Sequence, residues 1–158
     1  MIKLITLGKI KEQYFKDAIL EYSKRITRFD KIEIVELNDL SIPENPSEKE
    51  IDKILDSEAY QILNKINQDD YLFVLAIEGQ LIDSNQLSES IRNIKIEGHS
   101  NIVFVIGSSY GLSEKVKQRA DKLISFGKIT LPHQLIRVVL VEQIYRALMI
   151  DSGSTYHK

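Results

Sequence analysis

The run YLFVLAI at residues 71–77 is the longest uninterrupted apolar stretch of the 158-residue chain, and it decides the fold class. A strand that is apolar at every position is buried on both faces, which is typical of a parallel sheet with helices on each side. The run is far shorter than the roughly 20 apolar residues that a membrane-spanning helix needs. Further β-rich runs predict strands at residues 2–7, 31–37, 101–106 and 123–126.

Segments with helical periodicity separate these strands. A capping box formed by Ser47 and Glu50 marks the start of one helix. Apolar residues at helical spacing predict the other helices at residues 12–28, 87–94, 113–122 and 133–150. The alternation predicts one α/β domain over residues 1–158, in which a mostly parallel sheet is flanked by helices.

The composition excludes several classes of protein. The chain has no cysteine, which excludes a disulfide framework, a thiolate nucleophile and a Cys-ligated metal centre. No spacing of His, Asp and Glu predicts a metal site, so we expect none. Lys3, Thr6 and Lys9 interrupt the apolar residues at the start, which is unlike a cleavable signal peptide. We therefore expect a soluble cytoplasmic protein without a membrane partner.

Charge is distributed unevenly along the chain. Residues 1–31 carry eight basic and four acidic side chains, residues 32–100 carry five and fifteen, and residues 101–158 carry eight and four. Basic ends around an acidic middle would let one face attract a polyanion while another repels it. The alternative is that the acidic residues only solvate the outer faces of helices. The net charge of −2 does not decide between the two.

Four glycines stand where predicted strands end, namely Gly8, Gly79, Gly107 and Gly127. Ligands of open α/β sheets bind at the carboxyl ends of strands, although glycine also ends strands that bind nothing. The chain contains neither Gly-x-Gly-x-x-Gly nor Gly-x4-Gly-Lys-[Ser/Thr]. Their absence argues against a dinucleotide or a nucleoside triphosphate held by its phosphates. Their absence is compatible with a ligand that has no phosphates and is bound by backbone groups.

The last predicted helix is apolar on nearly every side. A helix of this kind is buried on more than one face, so we expect one face against the sheet and another against a second subunit. Glu142 and Arg146 are spaced to pair with each other. Arg137 lies on the opposite side from Arg146 and needs a different partner. It is either a clamp for a substrate or carboxylate, or half of a structural ion pair.

Two further sets of candidate residues lie in the C-terminal part of the chain. His133 stands at the start of the last helix, where the helix dipole favours its neutral form. The chain closes with Tyr156-His157-Lys158. Chain termini usually fray without a role, but an aromatic ring, an imidazole and a base are also groups that stack on RNA and contact it. Both interpretations of this tail stay open.

Several motifs along the chain occur together in one known family. They are Phe104-Val105-Ile106-Gly107 with Gly111, Leu131-Pro132-His133-Gln134, Arg137-Val138, Glu142-Gln143-Ile144-Tyr145-Arg146-Ala147 and the terminal Tyr156-His157-Lys158. Together with Gly8-Lys9 and Lys24-Arg25 near the start, the chain resembles over its whole length the RlmH family of SPOUT-class methyltransferases. This family acts on a pseudouridine of large-subunit ribosomal RNA. The C-terminal block is long and specific, so chance is a poor explanation.

The resemblance implies a SPOUT methyltransferase fold with a C-terminal trefoil knot, a homodimer, and S-adenosylmethionine held as methyl donor in the knot loops. The residues that it implies for contact with the donor are Leu75, Gly107, Phe126, Gly127, Lys128, Ile129, Thr130 and Leu131. A donor without phosphates accounts for the missing phosphate-binding loops.

The resemblance also implies methyl transfer to N3 of a pseudouridine in a 23S ribosomal RNA hairpin of the ribosome. The attacking imide nitrogen must lose its proton, so a base or a group that stabilises the anion is needed. By position and chemistry, the candidates for catalysis are His133, Arg137, Tyr156 and His157. Lys158 and Arg25 are the candidates for contact with the RNA.

One residue departs from the family. Members usually have a second glycine after the first in the loop at Gly107, where this chain has Ser108. A side chain there restricts positive φ, and we expect it to crowd the donor. The first alternative function is therefore a non-catalytic ribosome-binding protein on the same fold. The second is an unrelated doubly wound protein that binds a nucleotide or a flavin.

Overall fold

Strands and helices alternate along residues 1–156, the part of the chain that the computed structural model describes; His157 and Lys158 lie outside it. The elements are β1 (Ile2–Leu7), α1 (Gln13–Ile26), β2 (Ile32–Leu37), α2 (Glu48–Leu63), β3 (Tyr71–Leu81), α3 (Ser84–Glu97), β4 (Ile102–Ile106), α4 (Glu114–Arg119), β5 (Lys122–Ser125) and α5 (His133–Asp151). Every predicted strand and helix is present, so the α/β prediction is confirmed.

The five strands of the described chain form one sheet in the order β2-β1-β4-β3-β5, and all neighbours run parallel. Leu72, Phe73 and Val74 of β3 are fully buried. The parallel sheet that the apolar run at residues 71–77 predicts is therefore confirmed.

Helices cover both faces of the sheet, because successive strand residues point to opposite faces. Leu4 belongs to the core beneath α1, α3 and α5, together with Phe104 and Ile144. Its neighbour Ile5 belongs to the core beneath α2 and α4, together with Ile62. The sheet is thus the middle of three layers.

Side-chain caps fix the starts of two helices. Ser47 and Glu50 form the predicted capping box of α2. Asp83 and Gln86 form a second capping box at α3, which the sequence analysis did not single out. Both boxes satisfy backbone N–H groups that a helix start leaves without partners.

Helix α5 packs on the sheet between α1 and α3. Leu140, Ile144 and Leu148 are buried beneath it, whereas Leu135 and Val139 are only half-buried on its outer side. The predicted burial of one face against the sheet is confirmed, and the outer face keeps apolar surface. In residues 1–156, no helix is long and apolar enough to cross a membrane.

The predicted end of the third strand is wrong. The sequence analysis ends it at Ile77 and places a turn at Gly79, but β3 continues to Leu81. Leu75 and Gln80 both pair with Ile124 of β5, so residues 76–79 leave the ladder and then return to it. The continuous apolar run ends at this excursion. A prediction from the apolar pattern alone therefore ends the strand too early.

Candidate functional site

A cavity of about 460 Å³ opens at the carboxyl ends of β3, β4 and β5, and we call it the donor cavity after the predicted donor-contact residues that line it. Most of its lining comes from residues 75–78 of β3, from the loop after β4 and from the loop after β5. Its volume falls within the roughly 300–1,000 Å³ that small-molecule sites occupy. Its location is where open α/β sheets bind ligands.

The excursion of β3 forms one wall of the donor cavity, through Ala76, Ile77 and Glu78. Gly79 brings the strand back against β5. A Cβ atom on Gly79 would lie 2.6 Å from the backbone carbon of Ile124. Only glycine therefore lets the two backbones approach this closely.

The loop after β4 forms the second wall. The N–H of Ser108 donates to the carbonyl of Gly111 at 3.2 Å, and the N–H of Gly111 donates back at 2.9 Å. Gly111 has a φ of +85°, and a Cβ on Gly107 would lie 2.7 Å from Leu112 Cγ and collide with the Gly111 carbonyl. The loop is thus tightly closed, and its backbone faces the cavity.

Ser108 does not strain this loop. Within residues 1–156 only glycines have positive φ, so the expected restriction at Ser108 is wrong. The Ser108 hydroxyl donates to Glu58 Oε2 of α2 at 2.9 Å. Glu58 is 2% exposed, and its burial raises the pKa of the carboxyl, with a smaller opposing effect of the Ser108 hydrogen bond. The Ser108 side chain is therefore hydrogen-bonded to a buried carboxyl group.

The loop after β5 forms the third wall. The Ser125 hydroxyl accepts from the N–H of Gly127 at 3.2 Å and donates to its carbonyl at 3.1 Å, while Gly127 takes a φ of +130°. Of the eight residues predicted to contact the donor, seven line the cavity: Leu75, Gly107, Phe126, Gly127, Ile129, Thr130 and Leu131. The eighth, Lys128, is exposed and does not line it.

An ion pair stands at the edge of the donor cavity. Lys117 of α4 donates to Glu78 Oε1 at 2.5 Å. The hydrogen bond lowers the pKa of Glu78 and raises that of Lys117, so both groups are charged at neutral pH. Lys117 lies in α4, where no sequence motif indicates a functional residue. It is therefore not among the predicted site residues.

His133, in the first turn of α5, also lines the donor cavity. Desolvation at the cavity wall, followed by the cation of Arg137, lowers the pKa of His133. The imidazole is therefore neutral at pH 7, and one ring nitrogen can accept a proton.

Arg137 follows one turn later but is not part of this lining. Its Nη1 donates to the carbonyl of Gly8 at 2.9 Å, its Nη2 donates to the carbonyl of Leu7, and its Nη1 lies 3.5 Å from Glu36 Oε2. Arg137 is 4% exposed. Of the two roles open for Arg137, this geometry supports the structural one, because the guanidinium ties α5 to the ends of β1 and β2.

The second half of α5 carries a cluster of aromatic and cationic side chains, which we call the tail cluster. The Tyr156 ring meets the Tyr145 ring edge-on, with centroids 5.1 Å apart. The guanidinium of Arg146 lies 4.8 Å from the centre of the Tyr156 ring, and the Tyr156 hydroxyl donates to Glu142 Oε1 at 3.4 Å. Desolvation and then Glu142 raise the pKa of Tyr156, so its hydroxyl stays protonated at neutral pH.

Arg25 belongs to the same tail cluster. Its guanidinium lies 5.5 Å from the centre of the Tyr22 ring and 5.8 Å from that of Tyr145, and its Nε donates to Glu21 at 2.8 Å. Stacked guanidinium and aromatic groups are those that contact bases and phosphates of RNA. Tyr156, a candidate for catalysis, and Arg25, a candidate for contact with the RNA, therefore belong to one cluster.

The predicted site residues thus form two groups along α5. Tyr156 contacts Glu142, which follows His133 by nine residues in this helix. At 1.5 Å and about 100° per residue, Glu142 lies about 14 Å along the axis from His133 and on the opposite side of the helix, so the two groups do not meet within one chain. The predicted roles of His157 and Lys158 lie outside the described residues. Residues 1–156 contain no group of three or more His, Asp or Glu side chains that could hold a metal ion.

Comparisons with known proteins agree with this geometry. The profile of the family described as "Predicted SPOUT methyltransferase" matches residues 1–157. Proteins named "Ribosomal RNA large subunit methyltransferase H" from Streptococcus uberis and Leuconostoc citreum are 55% and 54% identical to this chain, and each alignment covers 99% of both chains.

Solved structures show the same fold at much lower identity. A probable methyltransferase from Bordetella pertussis has a TM-score of 0.55 at 12% identity, and 93% of each chain is covered. A probable methylase family protein from Haemophilus influenzae has a TM-score of 0.52 at 11% identity, covering 99% of this chain and 70% of the other. At such identities the likeness concerns the fold alone.

Proposed function

The chain belongs to the SPOUT methyltransferase family, and from this premise we propose that it transfers a methyl group from S-adenosylmethionine to N3 of a pseudouridine in a 23S ribosomal RNA hairpin. Its relatives named ribosomal RNA large subunit methyltransferase H are more than half identical over nearly the whole chain. The observation that carries the proposal is the donor cavity, in which most of the predicted donor-contact residues come together.

The lining of the donor cavity fits a nucleoside with a charged amino-acid end. Leu75, Ile106 and Phe126 offer apolar contact surface. Backbone groups of the loops around Gly107 and Gly127 can bind polar edges without side chains in the way. Lys117 and Glu78 place opposite charges at the edge, matching a group that carries both an ammonium and a carboxylate. When bound, S-adenosylmethionine supplies an electrophilic methyl group.

The acceptor nitrogen must lose its proton as the bond to the methyl carbon forms. His133 is the residue that we assign to this proton, because its lowered pKa leaves a neutral ring at the cavity wall. Tyr156 has a raised pKa, so we assign it a hydrogen bond from its hydroxyl to the target base rather than the role of base. His157 is a second candidate for the proton. Arg137 acts as a positioning residue, since it fixes the first turn of α5 through Leu7 and Gly8.

The separation of the two groups of site residues favours a homodimer. An antiparallel pair of α5 helices would place the tail cluster of one subunit beside the donor cavity of the other. The half-buried apolar side of α5, including Leu135 and Val139, supplies surface for such contact. Arg25 and Lys158 would then meet the RNA next to the donor. The basic segments at both ends of the chain would attract it, although the net charge is −2.

We also expect the C-terminal part of the fold to form a trefoil knot, and the protein to act in the cytoplasm, where ribosomes are found. The loops after β4 and β5, which the knot would involve, do line one cavity. Ser108 is the motive for the non-catalytic alternative. It lies outside the positive-φ region, which weakens this motive, but it lines the donor cavity, so titration with S-adenosylmethionine tests whether it crowds the donor.

The test is methyl transfer from radiolabelled S-adenosylmethionine to 70S ribosomes that lack the modification, with isolated 50S subunits and naked 23S RNA in parallel. We expect label on one nucleotide of the large-subunit RNA and a strongly reduced rate for His133→Gln. His99→Gln is the matched control, because His99 lies in an exposed loop near Asp69, at a distance from the cavity lining. Donor binding without label on any substrate would contradict the assigned substrate, and absence of donor binding would favour the non-catalytic protein.

A further inference from the structure

A glutamate occupies a core position of α2. Ile54, Glu58 and Ile62 follow one another at intervals of four residues, so they lie on one face of the helix, and all three are buried. Glu58 is 2% exposed. A buried carboxyl costs free energy unless it is paired, whereas a leucine would continue the apolar face. A residue that served packing alone would therefore be apolar here.

The Glu58 side chain has a single hydrogen-bond partner within residues 1–156. Its Oε2 accepts from the Ser108 hydroxyl at 2.9 Å, whereas its Oε1 is buried and has no partner there. In the same part of the chain, no basic side chain forms an ion pair with Glu58. The hydrogen bond with Ser108 is therefore the interaction that a carboxyl makes at this position and an apolar side chain does not.

Ser108 connects this buried acid to the donor cavity. It stands in the loop after β4, is half-buried and lines the cavity. Its backbone closes the loop through the two hydrogen bonds with Gly111, but these do not fix its side chain, which has three staggered positions. The hydrogen bond to Glu58 selects one of them. Within residues 1–156, the segment 107–111 forms no other side-chain hydrogen bond.

The direction of the Ser108 hydroxyl matters because the backbone of its loop faces the donor cavity. A hydroxyl that points to α2 leaves the backbone groups available for the polar edges of a ligand. A hydroxyl that turns away from Glu58 occupies part of the cavity or bonds to the loop backbone in place of the ligand. An acid that holds the hydroxyl towards α2 therefore favours ligand binding at a cost in stability, which is a common compromise at functional sites.

We propose that Glu58 is a positioning residue for the methyl donor, which holds the Ser108 side chain towards α2 and so keeps the donor cavity accessible. The proposal rests on the proposed function, because it takes S-adenosylmethionine as the ligand of this cavity. Glu58 itself does not line the cavity. It should therefore act on the binding of the donor and not on the methyl-transfer step.

Glu58→Leu is the main test, because it removes the acceptor and keeps the core position filled. Calorimetric titration should show about tenfold weaker binding of S-adenosylmethionine. In methyl transfer to ribosomes that lack the modification, the KM for the donor should rise by a similar factor while kcat stays unchanged. The midpoint of urea denaturation should stay the same or rise, since an apolar side chain replaces a buried acid. A merely structural role would lower this midpoint.

Two further variants test the route through Ser108. Glu58→Gln keeps an oxygen acceptor and should bind the donor within about threefold of the wild-type affinity. In a Ser108→Gly background, Glu58→Leu should have no further effect on donor affinity, because no hydroxyl is left to direct. Asp52→Asn is the matched control, since it removes a charge from the exposed side of the same helix, and it should bind the donor like the wild type.

The outcomes separate this proposal from the function on which it rests. Wild-type donor affinity of Glu58→Leu would overturn the proposal, as would an equal loss of affinity with and without the Ser108 hydroxyl. A lowered urea midpoint together with an unchanged KM for the donor would assign Glu58 a structural role instead. If the wild-type protein itself does not bind S-adenosylmethionine, the proposed function fails, and the role of Glu58 fails with it.

Discussion

The two halves of α5 differ in almost every physical property. At its first turn, backbone loops and apolar side chains enclose a cavity, and His133 is neutral. In its second half, the side chains of Tyr145 and Arg146 meet the ring of Tyr156, and Arg146 and Tyr156 are half-buried. One half is suited to hold a small molecule and the other to contact a base and its phosphates.

This contrast is what we expect under the proposal that one chain carries two halves of a site rather than one complete site. The donor end is rigid, because glycines and backbone hydrogen bonds fix its loops. The tail cluster is held by ring contacts and by the ion pair of Arg146 with Glu142, which can rearrange around an RNA substrate at lower cost. Substitutions at the two ends should therefore fail in different ways.

The largest effect is expected from Gly107→Ala at the donor end. The added Cβ would collide with the Gly111 carbonyl and with Leu112, so the loop must open and S-adenosylmethionine should bind at least about 100-fold more weakly. Calorimetric titration measures this. Gly98→Ala is the control, because its added Cβ meets nothing and costs only the strain of a φ of +85°. Equal donor affinity of the two variants would contradict the assigned cavity.

Mixed dimers test whether the two halves come from different subunits. Gly107→Ala damages the donor end and Tyr156→Ala the tail cluster, and each homodimer should be inactive. If sites are shared between subunits, an equimolar refolded mixture should regain about a quarter of wild-type methyl transfer, because half of the dimers hold one intact site. If each chain builds its own site, the mixture stays inactive.

Removal of the Arg137 tie should act mainly on stability. Arg137→Met leaves Glu36 and two carbonyls without their buried partner, so the free energy of unfolding should fall by about 2–4 kcal/mol. Urea denaturation measures it, and Arg137→Lys should recover part of the loss. A large fall in the rate of methyl transfer with unchanged stability would instead place Arg137 at the substrate.

A smaller effect is expected behind the donor cavity, at Glu58. Its pKa is raised in the folded protein, so the folded state holds the proton more tightly and stability is lost as pH rises above the unfolded pKa. Glu58→Gln keeps an acceptor for Ser108 and removes the ionisation, and the loss of stability as pH rises above the ordinary pKa of a glutamate should become shallower. An unchanged pH slope would show that Glu58 is not the group responsible.

The smallest effect is expected at the exposed side of the tail cluster. Arg25→Gln removes one cation, so affinity for ribosomal RNA should fall a few-fold and the salt dependence of binding should decrease by about one unit of slope. Filter binding at several salt concentrations measures both. Lys115→Gln is the control, since Lys115 of α4 pairs with Asp56 of α2 on the opposite face of the sheet. Equal losses in the two variants would indicate a nonspecific effect of charge.

The sequence predicted the framework well because local patterns determine it. The apolar run at residues 71–77 and the capping box at Ser47 each depend on a few consecutive residues. The family motifs identified the predicted donor-contact residues for the same reason, because most of these residues lie in short loops. The strand ends were predicted to within a few residues, except for β3.

What could not be predicted depends on contacts between distant parts of the chain. Glu58 and Ser108 are 50 residues apart, and Arg137 reaches Gly8 across 129. Neither pairing leaves a periodic signal. The sequence pattern predicts the end of a strand at Gly79. A glycine is required there because the backbone approaches Ile124 closely, and this contact exists only once β5 lies beside β3.

The excursion in β3 also bears on how this family can diversify. Leu75 and Gln80 share one partner in β5. The segment between them makes no pairs with β5, so its length does not set the register of the pairs on either side. Residues could be added to or removed from it ahead of Gly79 without shifting the register of the sheet. The width of the donor cavity can therefore change by insertion or deletion in evolution or in engineering, independently of the framework that supports it.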